Sequence, residues 1–161
     1  MKEGALQHLF AVDSPRGLHR VRLDDRGRLK LPRTFYAYLT AEGRSTVFVT
    51  CFEPGVLRVY PISAWLNLRA ALFAAGTPAA RNIHFIAEDR GRDAPIDKLG
   101  RIAIHTDLLE SFGRGRQEVV LEFFRGRVNI YNQTAYDRQR ELAEGTLSTE
   151  NLLALQQEGL L

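Results

Sequence analysis

The chain has 161 residues, of which 45% are hydrophobic and 25% are charged, a composition typical of a folded globular protein. No apolar run approaches the roughly 20 residues that a membrane-spanning helix needs, so we expect no membrane association. Cys51 is the single cysteine, which excludes an internal disulfide and a cysteine-based zinc site and favours a cytoplasmic location.

The formal net charge is only +3, but the charges are distributed unevenly along the chain. Between Arg16 and Arg33 seven basic residues stand against two aspartates. From Asp137 onward two arginines stand against five acidic residues. The basic N-terminal part would attract a polyanion and the acidic tail would not. Charge alone fits a solubilising surface equally well.

The first predicted elements are a hairpin, a short helix and two strands. The hairpin is VRLDDRGRLKL (21–31), in which apolar and charged residues alternate around a turn that contains Gly27. Pro32 ends its second strand, because proline lacks an amide donor and restricts the residue before it. A short helix is expected within 35–43, and the strands are expected near 46–52 and 56–60. Helices over Ser63 to about Ala75 and roughly 78–88 follow, the second with Thr77 as its N-cap and Pro78 in its first turn.

The first hairpin then recurs. LDDRGRLKL (23–31) and IDKLGRIAI (96–104) align without a gap and share apolar-Asp-x-x-Gly-Arg-apolar-x-apolar. The match continues downstream, because TVFVTCFEPGVLRVYPISAW (46–65) parallels EVVLEFFRGRVNIYNQTAY (118–136). Further strands are predicted near 94–98, 101–105, 118–124 and 127–131, and helices within 108–115, near 133–144 and after Ser148. The shared order of elements indicates an internal duplication.

A unit of about 40 residues with four short strands cannot bury enough apolar surface to be stable alone. Two such units can close their sheets against each other. The predicted core consists of Val47, Val49, Leu57 and Val59 packed against Val119, Leu121, Val128 and Ile130. We therefore predict an α+β fold, with one β-barrel of approximate two-fold symmetry, flanking helices, and both hairpins on one face.

The paired hairpins are the candidate binding site. Arginine offers a planar fork of donors for phosphate or guanine, and a two-stranded ribbon fits the major groove of DNA. An aspartate four residues before the arginine can cap the turn amides or hold the arginine in one rotamer. A single copy would be ordinary turn chemistry, but two aligned copies among other cations favour double-stranded DNA. The predicted DNA-binding residues are Asp24, Arg28, Asp97, Arg101, Arg22, Arg26, Lys30 and Lys98.

The strings LDDRGRLKLP and IDKLGRIAI, their spacing and the acidic helical tail resemble the MraZ family of bacterial transcriptional regulators. The resemblance implies two tandem AbrB-type (SpoVT-AbrB) swapped-hairpin half-barrels, and a repressor of a division and cell-wall gene cluster that includes its own gene. It also implies a nucleoid-associated protein that binds direct repeats in promoter DNA and assembles into homo-oligomeric rings. The implied domains are an N-terminal extension (1–16) and two repeats with their helices (17–88 and 89–161). This chain departs from the family at His105, where proline usually closes the second motif.

The alternatives to a DNA-binding regulator are an enzyme and a protein-interaction scaffold. An enzyme is not expected, because Gly113-Arg114-Gly115-Arg116 lacks the spacing of a phosphate-binding loop and no cofactor motif is present. His84 and Glu88 are only two ligands on one predicted helix, so no metal site is predicted. The alternative that remains is an oligomeric protein-interaction scaffold of the same fold that has lost DNA binding. The strand aromatics are expected to fill the core rather than stack on bases: Phe48, Phe52, Phe123 and Phe124.

Overall fold

The computed structural model describes residues 14–161, so the expected N-terminal extension lies outside the described residues except at 14–16. Eight strands occur in this part of the chain: β1 (His19–Leu23), β2 (Arg28–Lys30), β3 (Thr46–Thr50), β4 (Val56–Pro61), β5 (Arg92–Pro95), β6 (Arg101–Ala103), β7 (Gln117–Phe124) and β8 (Arg127–Tyr131). Six helices accompany them: α1 (Arg33–Leu39), α2 (Ile62–Ala75), α3 (Pro78–Arg90), α4 (Thr106–Phe112), α5 (Gln133–Gly145) and α6 (Thr149–Gln157). Within residues 14–161, no helix has the length and apolar character needed to cross a membrane.

The strands form one antiparallel sheet in the order β5-β3-β4-β8-β7-β1-β2-β6. A bridge between Ile96 and Ile102 joins its two edges, so the sheet nearly closes into a barrel. The arms of the first predicted hairpin share one register pair, Leu23 with Leu29. Otherwise β1 pairs with β7 and β2 pairs with β6, so each arm completes the sheet of the other half.

The pairing pattern is symmetric. The symmetry relates each strand of the first half, β1 to β4, to the equivalent strand of the second half, β5 to β8. Under this exchange the β1–β7 pair becomes the β5–β3 pair, and the β2–β6 and β4–β8 pairs are unchanged. The α+β, pseudo-two-fold barrel predicted from the sequence is thus confirmed. The domain boundary at 88/89 falls inside α3 and stays a prediction.

Residues that alternate along the strands fill the barrel because successive side chains point to opposite faces. All eight valine, leucine and isoleucine residues predicted as the shared core are at most 1% exposed. Burying each such side chain contributes about 1.5–3 kcal/mol, so this joint core explains why the two halves are stable together. Cys51 is buried in the same cluster.

The two halves differ on the outer face of the sheet. In the first half, α2 and α3 cover it with a second cluster, in which Phe48 stacks on Trp65 at 4.5 Å between ring centroids. In the second half α5 covers part of the sheet, and α6 buries none of its residues. The expectation that Phe124 fills the core is wrong, because it is 43% exposed and lies between the guanidinium groups of Arg125 and Arg127. Phe48 is buried, while Phe52 and Phe123 pack at the margins of the two clusters.

Three predicted strands end earlier than expected. The first of them, β3, ends at Thr50 rather than residue 52, and the other two end early for local reasons. The fifth strand ends at Pro95 rather than residue 98, because Asp97 already forms the turn. The sixth ends at Ala103, because the His105 side chain accepts the Asp107 amide and caps α4. His105 therefore favours the start of α4 through a hydrogen bond from its side chain. The proline that the family usually has at this position would favour the start of the helix through its fixed φ.

Candidate nucleic-acid interface

The first turn is organised by Asp24. Its Oδ1 accepts the amides of Arg26 and Arg28, each at 2.9 Å. The backbone closes the same turn, since the Asp24 amide donates to the Arg28 carbonyl at 2.8 Å. Gly27 supplies the left-handed conformation, with φ of 75°, that a side chain rarely adopts. The other carboxylate oxygen, Oδ2, lies 3.4 Å from Nε of Arg28.

The second turn repeats this arrangement around Asp97. Oδ1 accepts the amides of Leu99 at 2.9 Å and Arg101 at 3.0 Å, and Gly100 has φ of 80°. Nε of Arg101 donates to Oδ2 at 2.8 Å, a true charge-assisted hydrogen bond. Both roles foreseen for the aspartates, capping the turn and orienting the arginine, therefore occur at both turns.

These contacts lower the pKa of both carboxyl groups below the ordinary value of 3.8. The main cause is the backbone hydrogen bond from Arg28 to Asp24 and from Arg101 to Asp97. The second amide and the paired guanidinium act in the same direction, while desolvation opposes them. Both carboxylates are therefore charged at neutral pH and hold the turns closed.

Reciprocal hydrogen bonds join the two turns. The Gly27 carbonyl accepts the Ile104 amide, and the Gly100 carbonyl accepts the Leu31 amide, both at 2.8 Å. Gly27 is also packed tightly, because an added Cβ would lie 2.6 Å from Cδ1 of Leu109. The two hairpins thus form one rigid unit with a fixed spacing.

The β2–β6 ladder brings the key cations to one face. Leu29 pairs with Ile102 and both point inward, at 1% exposure or less. The flanking pairs, Arg28 with Ala103 and Lys30 with Arg101, must then point outward, since side chains alternate along a strand. Arg28 and Arg101 are two pairs apart in this ladder, roughly 7 Å along the strands.

The remaining predicted cations surround this ladder. Arg26 and Lys98 occupy the exposed turns, and Arg22 is exposed on β1 opposite Glu118. Within residues 14–161, no acidic side chain forms an ion pair with any of four cations: Arg22, Arg26, Lys30 and Lys98. Elsewhere on the surface arginines do find carboxylates, such as Glu110 for Arg114 and Glu144 for Arg140. Unpaired cations on this face leave it electropositive and available to an anion.

The two arginines are held differently. Nε of Arg28 is buried and has no hydrogen-bond partner among the described residues, whereas Nε of Arg101 is hydrogen-bonded. The strands of the first hairpin also carry Arg22 and Lys30, whereas the equivalent positions of the second hairpin are Pro95 and Ala103. The first hairpin is therefore the more basic and the less internally satisfied of the two.

Sequence reasoning missed one part of this surface. Arg116 lines a groove of about 370 Å³ together with Arg22 and Asp24. Residues 113–116 lack the spacing of a nucleotide phosphate-binding loop, and no motif in the sequence points to Arg116. The repeat alignment contained the signal, because it places Arg116 and Arg44 at equivalent positions, each directly after a glycine.

The other polar candidates do not form a site. His84 lies 3.5 Å from Glu88, and Glu88 also pairs with Arg69 at 3.7 Å. Among the described residues, no group of three or more potential metal ligands occurs.

Comparison with known proteins identifies relatives along most of the chain. A protein of Marinomonas sp. called transcriptional regulator MraZ is 30% identical over 150 residues, covering 91% of this chain and 96% of the relative. Proteins with the same name from Acidobacterium capsulatum (28% identical; 86% of this chain and 96% of the relative) and Thiobacillus denitrificans (25%; 89% and 97%) also match. No family model matches the chain.

Proposed function

This chain belongs to the MraZ family of transcriptional regulators, and from that premise we propose that it binds double-stranded promoter DNA through its two Asp-x-x-x-Arg hairpins. The observation that carries the proposal is the pair of arginines, Arg28 and Arg101, held by carboxylates on one face among unpaired cations. Its relatives are named as regulators and not as enzymes. The chain accordingly acts by occupying DNA rather than by catalysis, in the cytoplasm and associated with the nucleoid.

Preorganisation is the physical basis of binding. An arginine held by Asp24 or Asp97 loses less side-chain entropy when it binds, so more of its interaction energy contributes to affinity. Turn cations such as Arg26 and Lys98 bind phosphates, which sets the position on the duplex. The arginines at the ladder then reach base edges in the major groove, where a bidentate contact to guanine specifies sequence.

The regulated target proposed here is the chain's own division and cell-wall gene cluster, and the effect is repression. In a homo-oligomeric ring each chain presents the same pair of hairpins, so neighbouring chains would engage successive short direct repeats. Such multivalent contact raises the effective concentration of each hairpin after the first one binds. A promoter covered in this way excludes RNA polymerase.

The test is a titration of DNA from upstream of the gene, followed by fluorescence anisotropy at several salt concentrations. The double variant Arg28→Ala/Arg101→Ala should lose specific binding, while wild-type affinity falls steeply with salt. Arg140→Ala is the matched control, because Arg140 is an exposed arginine paired with Glu144 on α5. Unchanged binding by the double variant would remove the hairpins from the interface.

The second candidate is an oligomeric scaffold without DNA binding. It is favoured by the tail, where Leu152, Leu153 and Leu155 of α6 are between 39% and 49% exposed. Apolar side chains exposed together are typical of a contact surface. The same titration decides between the two, because a scaffold would bind upstream and unrelated DNA equally weakly.

A further inference from the structure

We propose that each DNA-binding module is composite, formed by the hairpin of one half and a single arginine of the other half. Arg116 would serve the first hairpin and Arg44 the second, each binding a backbone phosphate beside the bases that the hairpin contacts. The inference rests on the proposed function and adds two residues that the Asp-x-x-x-Arg motif does not include.

The position of Arg116 follows from strand register. Leu23 at the end of β1 pairs with Gln117 at the start of β7. Arg116 therefore stands next to Asp24, where the first turn begins. It lines the groove together with Arg22 and Glu118, and both arginines are exposed.

Arg44 has the equivalent position at the second turn. Thr46 pairs with Pro95, and the Ile96 amide donates to the Ser45 carbonyl at 2.7 Å. Arg44 thus stands next to Asp97 as Arg116 stands next to Asp24. The hairpin and the arginine come from opposite halves in both cases.

The local backbone is also the same. Arg44 follows Gly43, with φ of 75°, and Arg116 follows Gly115, with φ of 88°. A Cβ on either glycine would meet no atom within 4 Å, so packing does not require glycine there. The positive φ of the turn favours glycine instead.

Neither Arg44 nor Arg116 has an ion-pair partner within the described part of the chain. Among residues 14–161, Arg44 and Arg116 contact no carboxylate and donate no side-chain hydrogen bond to protein. Arg114, two residues before Arg116, is by contrast paired with Glu110 at 2.8 Å. A guanidinium without an ion-pair partner among the described residues keeps its hydrogen-bond donors for a phosphate, and an arginine–phosphate pair is a strong charge-assisted contact.

The proposed phosphate contacts of Arg44 and Arg116 differ in their effect from the base contacts of the hairpin arginines. A phosphate contact has no sequence information, so losing it weakens binding to all DNA alike. Losing a base contact instead lowers the preference for the correct sequence. Phosphate contacts also set the salt dependence of binding. The logarithm of the binding constant falls with the logarithm of the salt concentration, with a slope of about 0.9 per phosphate neutralised.

The experiment compares Arg116→Gln and Arg44→Gln with Arg114→Gln, the matched control from the same loop. Anisotropy titrations on upstream and unrelated DNA, over a salt series, give affinity, preference and slope. Each test variant should bind both DNAs several-fold more weakly, keep the preference between them, and lower the salt slope by about one per bound chain. Arg116→Lys should retain most of the binding, because the charge remains.

Ethylation interference then assigns each arginine to a module. The phosphate contact that is lost in Arg116→Gln should lie beside the bases whose contacts are lost in Arg28→Ala. The phosphate contact that is lost in Arg44→Gln should lie beside the bases whose contacts are lost in Arg101→Ala. If the Gln variants bind like the control while Arg28→Ala fails to bind, the composite module is wrong and the proposed function stands. If Arg28→Ala and Arg101→Ala also bind normally, the proposed function itself is wrong.

Discussion

At the scale of single residues, Asp24 and Asp97 connect the hairpin sequence to its shape. Each carboxylate accepts two amides of its own turn and pairs with the arginine four residues later. The aspartate and the arginine of the motif therefore form one structural unit. A change at the aspartate should disturb both the turn and the orientation of the arginine.

We predict an acid-dependent stability that originates at these carboxylates. Their pKa values are lowered below 3.8 on folding, so their contribution is complete above that value and is lost as the pH falls below it. Asp24→Asn and Asp97→Asn should flatten the dependence of the unfolding midpoint on pH between about pH 4 and pH 2. Asp25→Asn is the control, since the Asp25 side chain makes no hydrogen bond among the described residues. Equal slopes for all three variants and wild type would contradict the assignment.

The two arginines should contribute unequally to DNA binding. The first hairpin carries more basic residues than the second, and Nε of Arg28 has no hydrogen-bond partner among the described residues, whereas Nε of Arg101 is already hydrogen-bonded to Asp97. Each alanine substitution should cost about 1–3 kcal/mol of binding free energy, with the larger loss at Arg28. Anisotropy titrations of the two single variants on upstream DNA measure the difference. A larger loss of affinity for Arg101→Ala would show that hydrogen bonding of the arginine within the protein does not decide which arginine contributes more to DNA binding.

At the scale of elements, the two hairpins are tied together through their glycines. Gly27→Ala should destabilise the protein more than Gly100→Ala. Both substitutions strain a left-handed residue, by about 1–2 kcal/mol. Only at Gly27 would the new Cβ also meet a backbone atom, the Ile104 carbonyl oxygen at 2.9 Å, whereas the nearest atom at Gly100 is a ring carbon of Tyr36 at 3.5 Å. Urea unfolding of the two variants gives the comparison, and equal losses would mean that the close approach at Gly27 relaxes without cost.

The parts of the fold and of the candidate site that follow from a periodic or repeated sequence pattern could be predicted from the sequence. Alternation and the repeat predicted the barrel, its core and both turns, because strand period and turn chemistry are local. The end of β6 was not predictable, since it depends on His105 capping α4. The position of Arg44 and Arg116 beside the turns depends on pairing between halves, which a local pattern does not contain. An aromatic residue on a strand predicts a core position for Phe124, but this side chain is 43% exposed at the end of β7.

At the scale of the whole molecule, pseudo-symmetry holds for the barrel and fails for the helices. The first half has its outer face covered by α2 and α3, whereas α6 contains no buried residue. Deleting residues 147–161 should therefore leave the unfolding free energy of the barrel nearly unchanged. It should reduce self-association, which light scattering over a range of protein concentrations measures. A large loss of stability, or an unchanged particle mass, would contradict this account of α6.

The central claim is that DNA lies on the face formed by the two hairpins, and site-directed crosslinking tests it most directly. In a Cys51→Ala background, a photo-crosslinker would be attached at Arg26→Cys, at Lys98→Cys and, as the control, at Asn67→Cys on the exposed side of α2. The account predicts crosslinks to upstream DNA from positions 26 and 98 and none from position 67. Crosslinks from position 67 alone would contradict it.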